Sequence, residues 1–427
     1  MKLLNYLFIL ALSLNIQAQT PELLSWINNN AIVIEDANPD SQLTIFNKNV
    51  PPNFKTARVF GFGEADHRTK EFFNLKAKFF KYLVENQGVK VFIMEESYQA
   101  ERGINEWISG GKGDKATIKD NFRMSIWCNE EIVNLLEWMR NYNIGKPHER
   151  QIRVYGMDNQ FGGDLSNRLR TYVEKHNIAI NDSLLAIADS CSAAKLKAGG
   201  LKGWDRLVMP KLRQIKPILE RDKENLIAVN ACEYYDMIRA LEHLEQYTAF
   251  ISAPYSHARD KDMYENVLKI LELEQPNSKA FVWAHNEHIN KKQYGSYNVK
   301  SLGTHLKNHF KEAYYAVGFD FGVGVLKGYE IKNGQATKSV LRNLDKPYHK
   351  TFAETLVKAR GDIYFIDMEE AGTNTAAAKF FGSKKQQLFI GGPGFDPDSK
   401  IMFKRRYSDS YDGIIFVKTI SPATYKK

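Results

Sequence analysis

The sequence predicts an α/β fold: a largely parallel central sheet flanked by helices, with a helical insertion or cap. Three observations carry this. Short β-branched and aromatic runs alternate with helical patterns, as parallel strands joined by crossover helices require. Strand signals vanish over about residues 164–274 and then resume with the same character, which marks an insertion into one core rather than a second domain. Polar, chemically capable residues stand just past the predicted strands, where open α/β sheets bind ligands.

The elements follow in order. Residues 57–62 form the first predicted strand and 71–85 a helix, with Phe72, Leu75, Phe79 and Leu83 on one face. Residues 89–94 are the second strand. Residues 131–141 form a helix with Ile132, Leu135, Leu136 and Met139 inward. Residues 152–155, 280–283 and 314–319 are the third, fourth and fifth strands; 363–366, 388–390 and 414–417 are further ones. Within the insertion, 218–229 and 235–250 are helical, the first starting just after Pro217, a residue favoured at helix starts.

Composition limits the function classes. The 427 residues are 43% hydrophobic and 26% charged, as in an ordinary globular protein. After the N-terminus no segment is apolar enough to span a bilayer. Lys2, the apolar run 3–14 and Ile16-Gln17-Ala18 form a signal peptide over 1–18, so the chain is expected in the periplasm or secreted, with no integral membrane segment after signal removal. The cleavage site has no Cys, so no lipid anchor is expected. The 3 cysteines include no CxxC pair, which excludes a zinc ribbon or thioredoxin motif and leaves at least one thiol free. One disulfide stays open. The net charge of +9 is spread along the chain and mixed with acids. That points to surface solubility or anionic cell-surface material, not nucleic acid.

The strand ends carry the chemistry. The first runs into Gly63-Glu64-Ala65-Asp66-His67, the second into Glu95-Glu96, the third into Asp158-Asn159 and the fourth into His285-Asn286-Glu287-His288. Each cluster alone has an ordinary explanation, as a cap, an ion pair or a loop. Together they bring titratable groups to one sheet edge, so His67, Glu95 and His285 are expected in one cleft. His148 and His257 lack such a setting and are expected on the surface. There is no Gly-x-Ser-x-Gly elbow and no phosphate loop, and Asp66 stands where a dinucleotide fingerprint needs Gly. Cys128, beside Trp127, is expected to be inert packing. With His and Glu plentiful and no activated Ser or Cys, direct attack by water is the simplest chemistry.

These residues resemble a known family. Gly63-Glu64-Ala65-Asp66-His67 followed by Glu71-Phe72-Phe73 resembles the Gly-Glu-x-x-His opening of the erythromycin esterases. Met94-Glu95, the helix from Asn129 and Glu131 to Trp138, Tyr155-Gly156-Met157-Asp158, Ala258-Arg259-Asp260, Trp283-Ala284-His285-Asn286-Glu287-His288, Gly303-Thr304-His305-Leu306 and Ala316-Val317-Gly318-Phe319 are similar to its later segments, in the same order. The resemblance implies hydrolysis of a small-molecule ester or lactone, macrolide rings among them, without an acyl-enzyme. It implies His67 as general base, Glu64 and Glu95 orienting it and the water, and His285 and His288 lining the site. It places Lys76, Arg259, Asn129 and Asp158 among substrate contacts. Arg68, Lys76, Cys128 and Glu96-Ser97-Tyr98 depart from the family pattern, where substrate contacts are expected.

No organic cofactor is implied. Glu64, His67, Glu95, His285 and His288 also supply enough ligands for a divalent metal, so a metal-dependent hydrolase remains an alternative. A non-catalytic binding protein for cell-surface saccharide or peptide, using some of the 21 tyrosines and 6 tryptophans, is another. Oligomeric state is not legible.

Overall fold

The computed structural model describes residues 21–197, 199–254, 258–292, 300–332, 335–391 and 401–425. The expected signal peptide and His257 lie outside the described residues.

Among the described residues nine strands form one sheet: β1 (Ile32–Val33), β2 (Val59–Phe62), β3 (Val91–Ser97), β4 (Arg153–Asp158), β5 (Ala280–Trp283), β6 (Tyr314–Lys332), β7 (Gln335–Leu344), β8 (Ile363–Asp367) and β11 (Gly413–Ile420), while β9 (Lys385–Leu388) and β10 (Met402–Arg405) form a separate antiparallel pair. The sheet order is β1-β8-β11-β6-β2-β5-β3-β4, with β7 paired to β6. Every pairing from β11 across to β4 is parallel; β8, β1 and β7 join antiparallel. The largely parallel sheet expected from sequence is therefore present.

Strands β2, β3 and β5 are buried along their whole length. Parallel strands covered on both faces read as continuous apolar runs, and this is why they were visible in the sequence. Phe60, Phe62, Phe281 and Trp283 face one layer, with α1 (Lys70–Gln87) and α2 (Glu130–Asn143). Val59, Ala280 and Val282 face the other, against Met263, Val267 and Ile270. The alternation is the strand period of two.

Between β4 and β5 lie α3 (Leu165–Lys175), α4 (Asp182–Ala193), α5 (Trp204–Leu212), α6 (Ile215–Arg221), α7 (Lys223–Ser252) and α8 (Ala258–Leu273). The insertion has its own core, including Leu169, Leu212, Ile215, Leu244 and Ile251. The expected helix over 218–229 is broken at Asp222 (φ −108°, ψ 22°), where α6 stops and α7 starts. Asp suits helix ends because its side chain competes for backbone hydrogen bonds. Pro217 lies in the first turn of α6, whose N–H groups need no helical partner. The helix expected over 235–250 is part of α7, which runs unbroken from Lys223 except for a kink at Asn230, whose Oδ1 accepts from Glu233 N at 3.1 Å.

Three further differences concern strands. Strand β6 continues far past residue 319 and folds back as β7, which alternation in this polar stretch did not announce. The strand expected at 388–390 is β9, displaced to Lys385–Leu388 and paired with β10 instead of the main sheet. Strand β1 has two residues, too short for any periodicity.

The outer edge of β4 is occupied by side chains. Asn105 donates to Val154 O (2.7 Å) and accepts from Val154 N (2.8 Å), Glu101 accepts from Gly156 N (3.1 Å), and Asn266 donates to Met157 O (2.8 Å). Such bonds blunt an otherwise adhesive sheet edge. Cys128, Cys191 and Cys232 are all free thiols. No helix among the described residues is long and apolar enough to cross a membrane.

Candidate active site

The carboxyl ends of β2, β3, β4 and β5 converge. After Phe62 the chain passes Gly63, where an added Cβ would lie 2.1 Å from Asn286 Oδ1 and 3.0 Å from its Cα. The missing side chain lets the end of β2 touch the loop after β5. Asn286 N donates to Glu64 O at 2.9 Å, and the Asn286 amide bonds both N and O of Phe319 in β6 at 3.0 and 2.7 Å. The ends of β2 and β5 and the middle of β6 are thereby fixed to one another.

Glu64 is fully buried and divides its carboxylate between two partners. Oε1 lies 2.7 Å from His67 Nδ1, and Oε2 accepts from Lys76 Nζ at 2.7 Å. A carboxylate only accepts, so His67 Nδ1 carries a proton and Nε2 of the neutral ring is left as the acceptor. Lys76 also donates to Ala284 O (3.3 Å) and sits over the Trp283 ring at 4.2 Å. Burial lowers its pKa to about 8, against the pull of Glu64. Lys76 was expected to contact substrate; it has no exposed surface and stands behind Glu64. The sequence held a signal for this, since Lys76 falls on the apolar stripe of α1 between Phe72 and Phe79. Asn129, also expected among substrate contacts, is buried at the start of α2, where it accepts from Ile132 N (2.9 Å) and donates to Ile126 O (2.8 Å). Both ends of its amide are engaged in capping.

A second network lies beside the first. Arg259, at the start of α8, donates from Nε to Asp158 Oδ1 (3.0 Å) and from Nη2 to Asp158 Oδ2 and Glu95 Oε1 (each 2.8 Å). His288 Nε2 is 3.2 Å from Glu95 Oε1, and its Nδ1 is 2.8 Å from Asp260 Oδ1. Burial opposes a charge on His288, but Asp260 and Glu95 prevail and push its pKa up to about 10. Arg259 Nη1 also lies 3.0 Å from His288 Nε2, which sets donor against donor when the ring is charged. The carboxylates of Asp260 and Glu95, set against the one guanidinium, favour the charged ring. Glu95, though burial opposes its charge, is held well below its ordinary value by His288 and Arg259. Arg259 and Asp158, expected as substrate contacts, thus pair with each other.

His285 connects the two networks. Its backbone N donates to Glu95 Oε2 at 2.9 Å, and its ring lies 4.9 Å from the His67 ring, centroid to centroid. Burial, with His67 close by, holds its pKa well below the usual histidine value. Glu287 N donates to His285 Nδ1 at 3.2 Å, so the neutral ring carries its proton on Nε2. That Nε2 is buried and makes no hydrogen bond of proper geometry, although the Ala65 carbonyl is close enough to oppose the fall in the ring's pKa. An acceptor nitrogen on His67 and a donor nitrogen on His285 therefore sit on adjacent rings, 4% and 1% exposed.

The sequence reading singled out His67, Glu64, Glu95, His285 and His288, and all five lie at this sheet edge. It missed three neighbours. Asp260 holds His288, and it stood unread in the Ala-Arg-Asp segment. Trp127 packs on His67 (centroids 5.6 Å) and donates from Nε1 to Glu95 O at 3.1 Å. Phe389, just after β9, meets the His285 ring edge-on at 4.6 Å, a long-range contact without a local signal. Asp66 serves the turn into α1, accepting from Arg68 N and Thr69 Oγ1 at 3.1 and 2.8 Å; burial pushes its pKa up to about 6. Arg68 lines a cavity of about 230 Å³ with Ser125, Ile126, Tyr329 and Tyr425. His148 is exposed, as expected. Among the described residues no three His, Cys, Asp or Glu side chains converge as a metal-binding group.

A family model described as erythromycin esterase matches residues 84–420, which include Glu95, Asp158, Arg259, His285 and His288; Glu64 and His67 precede the match. Erythromycin esterase type II of Escherichia coli is 27% identical over 322 residues, covering 69% of this chain and 75% of its own. The crystal structure of a Bacillus cereus protein matches with a TM-score of 0.81 at 22% identity, over 96% of this chain and 99% of that one. An erythromycin esterase mutant in its open conformation matches with a TM-score of 0.68 at 14% identity, over 92% and 98%. The two structural likenesses are likenesses of fold; the family model, spanning most of the chain, establishes that this protein belongs to the erythromycin esterase family of hydrolases.

Proposed function

We propose that the protein hydrolyses a carboxylic ester or lactone by attack of a water that His67 deprotonates, with no covalent acyl-enzyme. One observation carries the reading: the Glu64–His67 bond of 2.7 Å leaves Nε2 of His67 as a base, next to the His285 ring, whose Nε2–H makes no hydrogen bond of proper geometry within the fold. His67 Nε2 takes a proton from water as the oxygen adds to the carbonyl carbon. The carbonyl electron pair moves to oxygen, where His285 Nε2–H donates to it. Collapse of the adduct expels the alkoxide, which takes the proton back from His67. Glu64 steadies the transient imidazolium, and Lys76 balances Glu64. Base assistance of this kind contributes roughly 10²–10⁴-fold, and one oxyanion donor about 10²–10³-fold. In this scheme Glu95, Arg259, Asp158 and His288 act as the frame that holds the His285 backbone.

A macrolide-like lactone is the substrate class to try first, given the name of the Escherichia coli relative. The test is mass spectrometry of macrolides, simple lactones and esters incubated with the wild type and with His67→Ala. Gain of one water with the wild type alone is expected. A single turnover in ¹⁸O-water that leaves label on the protein, or loss of rate on chelation, would replace the scheme with an acyl-enzyme or a metal-assisted one. We also infer export, with a mature N-terminus near Gln19; intact Met1 on the exported protein would overturn that.

A further inference from the structure

The donor state of His285 depends on the backbone N–H of Glu287, and the Glu287 side chain is held from a distant part of the chain. Its Oε1 pairs with Arg405 Nη2, at the end of β10. Arg405 is only 4% exposed, and its Nη1 donates to Tyr411 OH at 2.8 Å. Tyr411 OH donates in turn to Gln387 Oε1 (3.4 Å), and Gln387 Nε2 donates to Phe319 O at 3.1 Å. That carbonyl is the one bonded by Asn286. Asn290 Nδ2 closes the far side of the turn, donating to Glu287 O at 2.6 Å. The β9–β10 pair thus meets the loop after β5 twice, through Arg405 on Glu287 and through Phe389 on the His285 ring.

None of these groups reaches the reacting atoms, yet they enclose a charge pair inside the fold. Both terminal nitrogens of Arg405 are engaged while its Nε is left without a partner among the described residues, and a buried pair of this kind fixes geometry more than it adds stability. What it fixes here is the first turn of the short helix Asn286–Ile289, which the His285 side chain caps. A small rotation of that turn removes the N–H from His285 Nδ1, after which the ring proton is free to move to Nδ1. His285 Nε2 then becomes an acceptor on the ring next to the His67 acceptor, and neither ring donates to an oxyanion.

We propose that Arg405 and Glu287 are positioning residues: their ion pair holds His285 as the Nε2–H tautomer and so keeps its donor aimed at the carbonyl oxygen. The inference rests on the reading of His285 as that donor, and its test has one arm independent of turnover. The protein is labelled with ¹⁵N-histidine, and two-bond ¹H–¹⁵N spectra are recorded for the wild type, Arg405→Met, Arg405→Lys and Glu287→Gln, with His285→Gln assigning the ring. The wild type is expected to show Nε2–H on His285. Arg405→Met is expected to show the Nδ1–H form or exchange between the two, with recovery in Arg405→Lys. Glu287→Gln keeps shape and acceptor and serves if Arg405→Met does not fold; it is expected to show a smaller shift of the same sign. On a hydrolysed ester, Arg405→Met should lower kcat about ten- to a hundredfold, less than outright loss of an oxyanion donor, with KM within about threefold. A His285 spectrum unchanged in every folded variant overturns the proposal. If the spectra shift as expected while His285→Gln keeps full activity, the positioning stands and the donor role fails.

Discussion

Arg259 and Asp158 meet side-on through two hydrogen bonds, Nε to Oδ1 at 3.0 Å and Nη2 to Oδ2 at 2.8 Å, which tie the helical insertion to the end of β4. The same Nη2 holds Glu95 at 2.8 Å, so one guanidinium serves two buried carboxylates. Lysine offers a point charge and no fork. Arg259→Leu removes the cation from both acids, and breaking a buried pair this way costs about 3–5 kcal/mol. Arg259→Lys is expected to recover part of that loss without restoring the rate of hydrolysis. Urea unfolding of the three proteins measures the first effect and kcat the second. A change under about 1 kcal/mol for Arg259→Leu would mean that water, not Arg259, solvates these acids.

Glu64 and His67 should behave as a unit. Glu64→Gln keeps an acceptor for Nδ1–H but removes the charge that steadies the imidazolium, and the amide can turn its NH₂ toward the ring and reverse the tautomer. We expect kcat to fall about a hundredfold, against roughly 10²–10⁴-fold for His67→Ala. The double variant should be no slower than His67→Ala, because groups that act through one another are not additive. Fully multiplied losses in the double variant would separate the two residues.

Sequence and structure agree where the physics is local, and diverge where distant segments decide. Strands β2, β3 and β5 are short apolar runs because helices cover both faces, and the polar residues that end them could be read without coordinates. The insertion was legible by its helical period and its lack of strand signals. The β6–β7 hairpin was not, because Gln335–Leu344 is polar and its Leu341 is exposed; its strand character comes from pairing with β6. Phe389 and Arg405 were missed for the same reason, since both reach the site from a strand pair outside the main sheet. Lys76 is the converse case: a family resemblance suggested a substrate contact, while its own place on the apolar stripe of α1 pointed inward, where it pairs with Glu64.

Gly63 is predicted to tolerate no side chain. A Cβ there would overlap Asn286 Oδ1 at 2.1 Å and press on its Cα at 3.0 Å. Relief requires the loop after β5 to move outward, which breaks the bonds from Asn286 to Phe319 and shifts His285. Gly63→Ala should lower stability by about 1–3 kcal/mol, as overpacking does. It should also lower kcat more than its stability loss explains, when both are measured well below the melting temperature. Unchanged thermal unfolding and kcat would show that the two segments part easily, and the close approach would then have no role in the site.

His288 gives the fold a pH dependence of known sign. Its pKa rises from an ordinary value near 6.5 to about 10, because Asp260 and Glu95 outweigh the burial that disfavours its charge. A group bound more tightly to its proton in the folded state adds stability that is complete below the unfolded pKa and is lost as pH rises through the folded one. The contribution should therefore be whole below about pH 6.5 and decline toward pH 10. Lys76 acts with the opposite sign above its own pKa of about 8, since burial favours its neutral form. Both residues are present in the wild type, but His288→Gln retains Lys76 alone, so the difference between the two proteins isolates the histidine. Urea unfolding from pH 6 to pH 10 should show the wild type losing its advantage over His288→Gln across that interval. A difference that stays constant with pH would mean that His288 is neutral in the fold, with Arg259 Nη1 donating to its Nε2 across the 3.0 Å contact.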